Sequence, residues 1–315
     1  MKKTRVWLAV AGGLCGVGLV LAACGFAMSG FDIYQMDGSV GESKMYTAKQ
    51  SQSVEQLEVD IENLRLQIEV DETATQIQVE YQESTRREFT VEQVGHKLKV
   101  YARDVRRWYN PFVDGIMQLD IAPVRVILPK NYAGSITGKT RNGRITLTGL
   151  HTEQAVLLST TNAKIELQDV SCYSLQATST NGKIDLNTVS IQESLSATTS
   201  NAKCELLRVS AKSGSVHSTN GKLELTDVHL QETLRAETSN GAIVLERLQA
   251  PDIELHTRNG SIKGSIDGRQ QDYNIICTTT NGSAEPGSSG IDKARAKQLL
   301  AETTNASIRL EFVQQ

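Results

Sequence analysis

Aromatic residues are scarce in this chain of 315 residues, at 5% of the composition, and proline occurs only five times. So few large rings suit a narrow interior that is filled by Ile, Val, Leu, Ala and Thr. None of the five prolines lies between residues 142 and 240. Because proline cannot donate to a hydrogen-bonded ladder, their absence favours strands that are paired on both sides in this region.

An excess of positive charge is also lacking, since the formal net charge is −3. This balance argues against a nucleic-acid-binding protein, for which a basic patch is the expected footprint. The five histidines show neither HxH nor HExxH spacing. The sequence therefore predicts no catalytic residue, no bound cofactor and no metal site.

A short motif, T/S-x-N-G/A-x-I-x-L, is repeated nine times between residues 138 and 310. Its asparagines follow one another at intervals of 20, 19, 20, 19, 20, 19, 22 and 24 residues. So regular a period indicates a repeat architecture in which each unit buries its apolar face against its neighbours. The asparagines form the column Asn142, Asn162, Asn181, Asn201, Asn220, Asn240, Asn259, Asn281 and Asn305.

Counted from each asparagine, apolar residues recur at positions −6, −4, +3, +5 and +8. The alternation within the first four columns has period two, which is the signal of β-strands. Three inward segments in a unit of 19–20 residues predict an all-β fold, a parallel β-solenoid with one coil per repeat. The alternative is a run of Asn-Gly hairpins, but hairpins do not require the same five columns at one phase.

The asparagine column is predicted to form the corner of each coil. A sharp turn between strands often needs positive φ, which Asn tolerates better than other non-glycine residues, so we expect positive φ here. Stacked coils would place the side-chain amides ~4.8 Å apart, close enough to bond along the stack. The next position alternates between Gly and Ala, so small size matters there more than a glycine-only dihedral.

The repeats set the predicted domain organisation. Residues 131–315 form the regular solenoid, whose last coil we expect residues 308–312 to close. Residues 54–130 alternate without the asparagine and are predicted to form irregular coils that cover the first regular one. Residues 32–53 are predicted to be a polar linker, and residues 1–31 a membrane anchor.

The anchor has two possible forms. Residues 1–5 carry positive charge and residues 6–31 carry no charge at all, which suits one N-terminal transmembrane helix. Residues 21–25 also match the lipobox of a bacterial lipoprotein signal, in which Cys24 would be lipidated. Both interpretations predict a protein of the cytoplasmic membrane, single-pass in the first case, with the C-terminal domain outside the cell.

Cysteine usage gives a further expectation. Cys204 and Cys277 fall in interior columns four repeats apart, beyond the reach of a disulfide, and Cys172 lies near a corner. We therefore expect three unpaired thiols, of which Cys172 is accessible.

Two sets of polar residues are candidates for contacts. One is the aromatic and basic loop in residues 104–115, which either contacts a partner or packs on the side of the solenoid. Its residues are Arg106, Arg107, Trp108, Tyr109 and Phe112. The second set consists of lysines at +2 and acidic residues at +4. Their alternation predicts that the opposite charges neutralise each other on a solvated face. Binding of a polyanion by these lysines is the alternative.

The chain resembles a bacterial "putative adhesin" family of β-strand-repeat domains of unknown function. The resemblance rests on the charged start, the apolar helix, the A-M-x-G-F-D-like exit at residues 27–32, the R-x-W-Y loop at residues 106–109 and the T-x-x-G-x-I-x-L coils. That family more often has Thr-Gly-Asp at the corner, where this chain has Asn-Gly or Asn-Ala. The resemblance implies surface exposure and no catalytic residues.

The sequence therefore predicts a non-catalytic, membrane-anchored extracytoplasmic β-solenoid that acts as an adhesin or an envelope-associated interaction protein. Its expected partners are the membrane, through the N-terminal segment, and a cell-envelope protein or glycan, with no nucleic acid. Two alternatives stay open. One is a β-helix enzyme acting on envelope polysaccharide, which would need clustered carboxylates. The other is a sensory or regulatory ectodomain of an envelope-stress system.

Overall fold

The computed structural model describes residues 2–28, 42–49, 53–83, 87–104, 122–289, 292 and 295–314. The chain divides into two compact units. One comprises Met1–Lys44, Gln82–Glu88 and Arg103–Ile121, and the other comprises Met45–Tyr81, Phe89–Ala102 and Ala122–Gln315.

The first unit contains a helix, α1, over Lys2–Met28. Among the described residues, no helix is long and apolar enough to cross a membrane. The transmembrane helix predicted within residues 1–31 is therefore not confirmed. A strand, β1, occupies Glu42–Thr47, within the segment predicted to be a linker.

The other elements of the described chain are strands and one short 3-10 helix, Gln270–Asp272. The irregular region contains β2 Gln56–Ile61, β3 Leu66–Asp71, β4 Gln78–Glu83, β5 Arg87–Val94, β6 Lys97–Asp104 and β7 Val124–Pro129. The regular coils contain β8 Ser135–Thr140, β9 Ile145–Thr148, β10 Ala155–Thr160, β11 Ile165–Ser179, β12 Ile184–Thr199, β13 Cys204–Ala211, β14 Ser213–Ser218, β15 Leu223–Leu230, β16 Thr233–Thr238 and β17 Ile243–Leu248. The last strands are β18 Asp252–Thr257, β19 Ile262–Asp267, β20 Tyr273–Thr279, β21 Ala284–Glu285, β22 Lys297–Thr303 and β23 Ile308–Val313.

The strands of the second unit form stacked coils, and the coils pair in parallel. The face before the corner has the order β6–β2–β8–β10–β11–β12–β14–β16–β18–β22–β20. The face after the corner has the order β7–β3–β9–β11–β12–β13–β15–β17–β19–β23–β21. β4 joins β7 antiparallel and is an exception. The predicted all-β architecture with a long parallel stack is confirmed.

The interior is built from the columns that the repeat predicts. In the six coils from Asn142 to Asn240, the residues at −6, −4, +3, +5 and +8 are all buried. A further inward column lies at +10, where Cys172 and its equivalents are buried because +8 and +10 share one face of a third, short ladder. The expectation that Cys172 is accessible is therefore wrong, since its side chain is 1% exposed.

The chain bends between its second and third faces at position +7. The five non-glycine residues with positive φ in the described chain all lie there: Asp169, Thr188, Arg208, Asp227 and Arg247, with φ of 52–56°. Gly149 occupies the same position in the first regular coil, with φ of 73°. The corner asparagines do not have positive φ, so that prediction is wrong. The left-handed residue is needed at a bend that no recurring residue type marks.

The ends of the stack differ from the sequence-based expectation. At the start, Asn63 lies beneath Asn142 in a coil formed by β2 and β3, which the nine-fold motif does not include. At the far end, β22 pairs with β18 on one side and with β20 on the other. The coil of Asn305 is thus inserted between those of Asn259 and Asn281, and residues 308–312 do not close the stack.

The inverted order separates the interior cysteines further than expected. Cys204 and Cys277 lie five coils apart rather than four, roughly 24 Å at one strand spacing per coil. All five cysteines are free. Burial raises the pKa of the Cys172 and Cys204 thiols to about 12 and that of Cys277 to about 11, so none of these three is a reactive thiolate at neutral pH.

The two C-terminal strands, β22 and β23, lie between other coils of the stack and have a parallel partner on each side. We expect a chain that ends at residue 296 to leave unpaired edges on β18 and β20, because each loses a parallel partner. Hydrogen exchange should then show loss of protection over residues 252–285. Removal of residues 314 and 315, which follow the last strand, is the control and should change nothing. Retained protection of β20 in the shorter chain would contradict the inverted coil order.

Candidate interaction surfaces

The corner asparagines form a continuous ladder of side-chain amides on the solvent-exposed edge of the stack. Nine of the ten asparagines, all but Asn63, donate Nδ2–H to Oδ1 of the asparagine in the preceding coil of the stack, with N···O distances of 2.5–2.7 Å. The order is Asn63, Asn142, Asn162, Asn181, Asn201, Asn220, Asn240, Asn259, Asn305 and Asn281. The regular coil spacing brings the amides into register, so the ladder is a product of the stack.

A second ladder lies two residues before each asparagine, inside the stack. Each Ser or Thr hydroxyl donates to the carbonyl of the residue after the asparagine in the neighbouring coil, at 2.8–3.4 Å. Its members are Thr140, Thr160, Ser179, Thr199, Ser218, Thr238, Thr257, Thr303 and Thr279. The sequence motif contains this position in every copy, but the hydrogen bonds of its hydroxyl were not predicted, because only the apolar columns were assigned to the interior by spacing.

The same hydroxyl explains the glycines at the corner. Five glycines donate their backbone N–H to the hydroxyl three residues earlier, at 2.8–3.2 Å: Gly143, Gly182, Gly221, Gly241 and Gly260. A Cβ on any of them would lie 1.5–1.9 Å from a carbonyl oxygen of the neighbouring coil. None of them has positive φ. Small size is the requirement, as the alternation of Gly and Ala indicated.

Substitution of Thr199 tests whether the hydroxyl ladder stabilises the stack. Thr199 is 0% exposed, and its Oγ1 donates to the Gly182 carbonyl at 3.0 Å. We expect Thr199→Val to lower the free energy of unfolding by about 1–3 kcal/mol, because a buried carbonyl loses its donor while the side-chain volume stays similar. Thr198→Val, the same change on the outward side of the same strand, should have little effect. Equal effects of the two substitutions on urea unfolding would refute this role.

The charged columns neutralise each other along one face. Lys164 bonds Glu166 in its own coil at 3.1 Å and Asp185 in the next coil at 2.8 Å. Lys183 repeats the pattern with Asp185 at 3.0 Å and Glu205 at 2.5 Å. The ladder continues through the ion pairs of Lys203 with Glu205 and Glu224 and of Lys222 with Glu224.

The pKa shifts show that these pairs stay ionised at neutral pH. The bond from Lys183 is the main cause that lowers the pKa of the Glu205 carboxyl. Partial burial acts to raise the pKa of Asp185, but the bonds from Lys164 and Lys183 outweigh it, and the net shift is downward. Partial burial likewise opposes the raised pKa of Lys183, which the bonds to Glu205 and Asp185 produce. These lysines are therefore already engaged by carboxylates.

The third face carries a groove of different character. Its volume is about 660 Å³, and it crosses the coils that contain residues 190–192, 210–211, 229–231 and 249–251. Buried Ile191, Ala211, Leu230 and Ala250 form its floor. Its exposed rims carry Ser190, Gln192, Ser210, His229, Gln231 and Gln249.

The rims of the groove carry hydrogen-bonding side chains, namely hydroxyl, amide and imidazole groups. Ser210 donates to the Ser190 hydroxyl at 3.3 Å, and His229 Nδ1 lies 2.9 Å from Oε1 of Gln249. Among the described residues that line the groove, Lys297, near one end, is the single Lys or Arg, and none is an Asp or Glu. Sequence reasoning missed this surface, because serine and glutamine at +9 and +11 resemble ordinary solvated positions.

Two imidazoles lie beside carboxylates on another face. His217 is 3.9 Å from Glu237, and His256 is 3.2 Å from Glu302. In the part of the chain that the structure describes, no three His, Cys, Asp or Glu side chains are grouped so that they could hold a metal ion. The predicted contact loop, Arg106 to Phe112, lies outside the described residues. Cys24, the alternative lipidation residue, lies exposed in α1.

The stacked coils, the asparagine and hydroxyl ladders and the short repeat define a repetitive parallel β-solenoid. The family model described as Toastrack DUF4097, a domain of unknown function, matches residues 54–286 and, in an overlapping second match, residues 193–312. The chain belongs to this family. The resemblance drawn from the sequence is thereby confirmed.

Two solved structures are similar to this chain. One, described as a putative adhesin from Bacteroides fragilis, has a TM-score of 0.38 at 14% identity, over 86% of this chain and 97% of that one. The other, described as a putative cell adhesion protein from Clostridium sporogenes, has a TM-score of 0.24 at 9% identity, over 87% of this chain and 100% of that one. No curated protein sequence matches this chain.

Proposed function

We propose that this protein is a non-catalytic, membrane-anchored extracytoplasmic β-solenoid that binds a component of the bacterial cell envelope as an adhesin or interaction protein. The observation that carries this proposal is the neutral polar groove on the third face. Membership of the Toastrack family supports it, since this is not a known enzyme family. The similar structures described as adhesins agree with the proposal but add no argument of their own.

The repeat of the groove favours an extended polymer as the ligand. Position +9 carries a polar side chain in four successive coils, and two of these coils add a glutamine at +11: Ser190, Ser210, His229 and Gln249, with Gln192 and Gln231. Adjacent coils are ~4.8 Å apart. Hydroxyl, amide and imidazole groups of this kind form hydrogen bonds with sugar hydroxyls, and these bonds do not require the ligand to be charged. We therefore propose a neutral envelope glycan rather than a polyanion, whose natural partners, the lysines at +2, are bound by carboxylates.

The lining of the groove also weighs against the enzyme alternative. Hydrolysis of a glycosidic bond needs two carboxyl groups roughly 5–9.5 Å apart on either side of the scissile bond. Among the described residues that line the groove there is no Asp or Glu. The acids that do form a column, at +4, are each bonded to one or two lysines. A binding surface is thus the simpler interpretation.

The binding surface can be tested with two arginine substitutions. Ser210→Arg places a long cationic side chain on the rim of the groove, and we expect it to reduce retention on neutral cell-wall polysaccharide at least about tenfold, or ~1.4 kcal/mol. Gln176→Arg adds the same charge at an exposed position of another face and should leave retention unchanged. If both substitutions reduced retention equally, or if neither reduced it, the groove would not be the binding site.

The anchor is the second part of the proposal. Residues 6–31 carry no charge and follow a basic start, and we propose that they remain in the membrane with the solenoid outside. Intact-mass analysis of the protein in the membrane fraction should show a chain that retains this segment. A mature chain beginning at a diacylated Cys24 would instead establish the lipoprotein form.

A further inference from the structure

Six corners contain an asparagine followed by glycine: residues 142, 181, 220, 240, 259 and 281. In such a pair the backbone nitrogen of the glycine can attack Cγ of the asparagine, because no Cβ hinders the approach. A five-membered succinimide ring forms and ammonia leaves. Water then opens the ring on either side to give aspartate or isoaspartate. Six such pairs would make this chain chemically fragile if every corner were free to react.

Five of the six pairs are held in a form that prevents the attack. Their glycines are buried, and each glycine N–H is donated to the Ser or Thr hydroxyl three residues earlier at 2.8–3.2 Å. The proton that the attacking nitrogen must lose is therefore held in a hydrogen bond. Both amide atoms of the asparagine are also bonded, since Nδ2 donates to one neighbouring coil and Oδ1 accepts from the other.

Asn281 lacks most of this protection, because its coil is the last in the stack. Its Nδ2 donates to Oδ1 of Asn305 at 2.7 Å, but no described residue donates to its own Oδ1. Gly282 is exposed, and its N–H has no acceptor within the described chain. The hydroxyl of Thr279 donates to the Ala306 carbonyl at 2.8 Å but does not accept from Gly282.

We propose that Asn281 is a site of spontaneous modification, at which the folded protein converts asparagine to aspartate and isoaspartate. The ladders protect the other five pairs. The conversion removes the donor that holds Asn281 to Asn305, and isoaspartate adds a methylene to the main chain just before β21. Only two residue pairs, Ala284 with Ile308 and Glu285 with Arg309, join β21 to β23. The modified corner and β21 therefore separate from β23 more readily than in the native chain, while seven residue pairs still join β20 to β22.

Peptide mapping of the full-length protein after incubation in warm, mildly alkaline buffer measures all six pairs at once. In the folded protein, we expect Asn281 to convert at least about tenfold faster than each interior pair, because those react only when the stack opens locally. In denaturant, the six rates should converge to within a few-fold. Comparable rates in the folded protein would overturn the proposal, and so would a difference that persists unchanged in denaturant.

One interior substitution tests the cause of the protection. Ser218→Ala removes the hydroxyl that accepts the Gly221 N–H and should accelerate conversion at Asn220, while Asn142, far along the stack, stays slow. Conversion at Asn142 reports any general loss of folding in this variant. An unchanged rate at Asn220 in the folded variant would refute protection by the hydroxyl.

Discussion

The carbonyl that follows each corner asparagine is a buried acceptor, and the whole stack depends on the hydroxyl that satisfies it. At the corner the backbone leaves the strand ladder, so this carbonyl has no partner in its own sheet. An unpaired polar group of this kind would cost about 1–3 kcal/mol in each coil. One Ser or Thr from the neighbouring coil supplies the donor, and at the glycine corners the same hydroxyl accepts the N–H of its own turn. Stacking and turning are thus coupled through one side chain.

The repeat made the architecture predictable from the sequence, because five apolar columns at one phase can be buried together only if the coils stack. Ile145, Leu147 and Leu150 could be placed inside from spacing alone, and the structure buries all three. Three features were beyond this reasoning. The hydroxyl ladder of Thr199 and its equivalents was not predicted, because no apolar column marks that position. The left-handed bend at +7 is occupied by Asp, Thr and Arg, so composition does not mark it. The inverted order of the last coils could not be predicted, because coils that share the same columns fit the stack in either order.

The candidate site was the least predictable part, for a related physical reason. Spacing identifies what must be buried, whereas a binding surface is made of residues that are free to vary. The charged columns were read correctly because opposite signs at +2 and +4 have few arrangements other than pairing. The serines and glutamines of the third face are compatible with many arrangements. Only the folded coil shows that they form the rims of a groove with an apolar floor at Ile191 and Leu230.

A stack of identical coils gives every interior residue two neighbours and every terminal residue one. At the Asn281 end, the strand and the corner of the last coil differ in how their outer sides are satisfied. β20, the last strand of the face before the corner, has its outer edge covered by the following loop. Ser289 exchanges hydrogen bonds with the backbone of Ile275, and Ser288 does so with Cys277. In the described part of this loop, no residue donates a hydrogen bond to the Asn281 side chain at the corner of the same coil. The loop therefore protects the edge of β20 against unwanted strand pairing but leaves the amide ladder without a further donor at Asn281. This explains why the Asn281-Gly282 pair, which has the same sequence as the other Asn-Gly corners, is expected to react faster than they do.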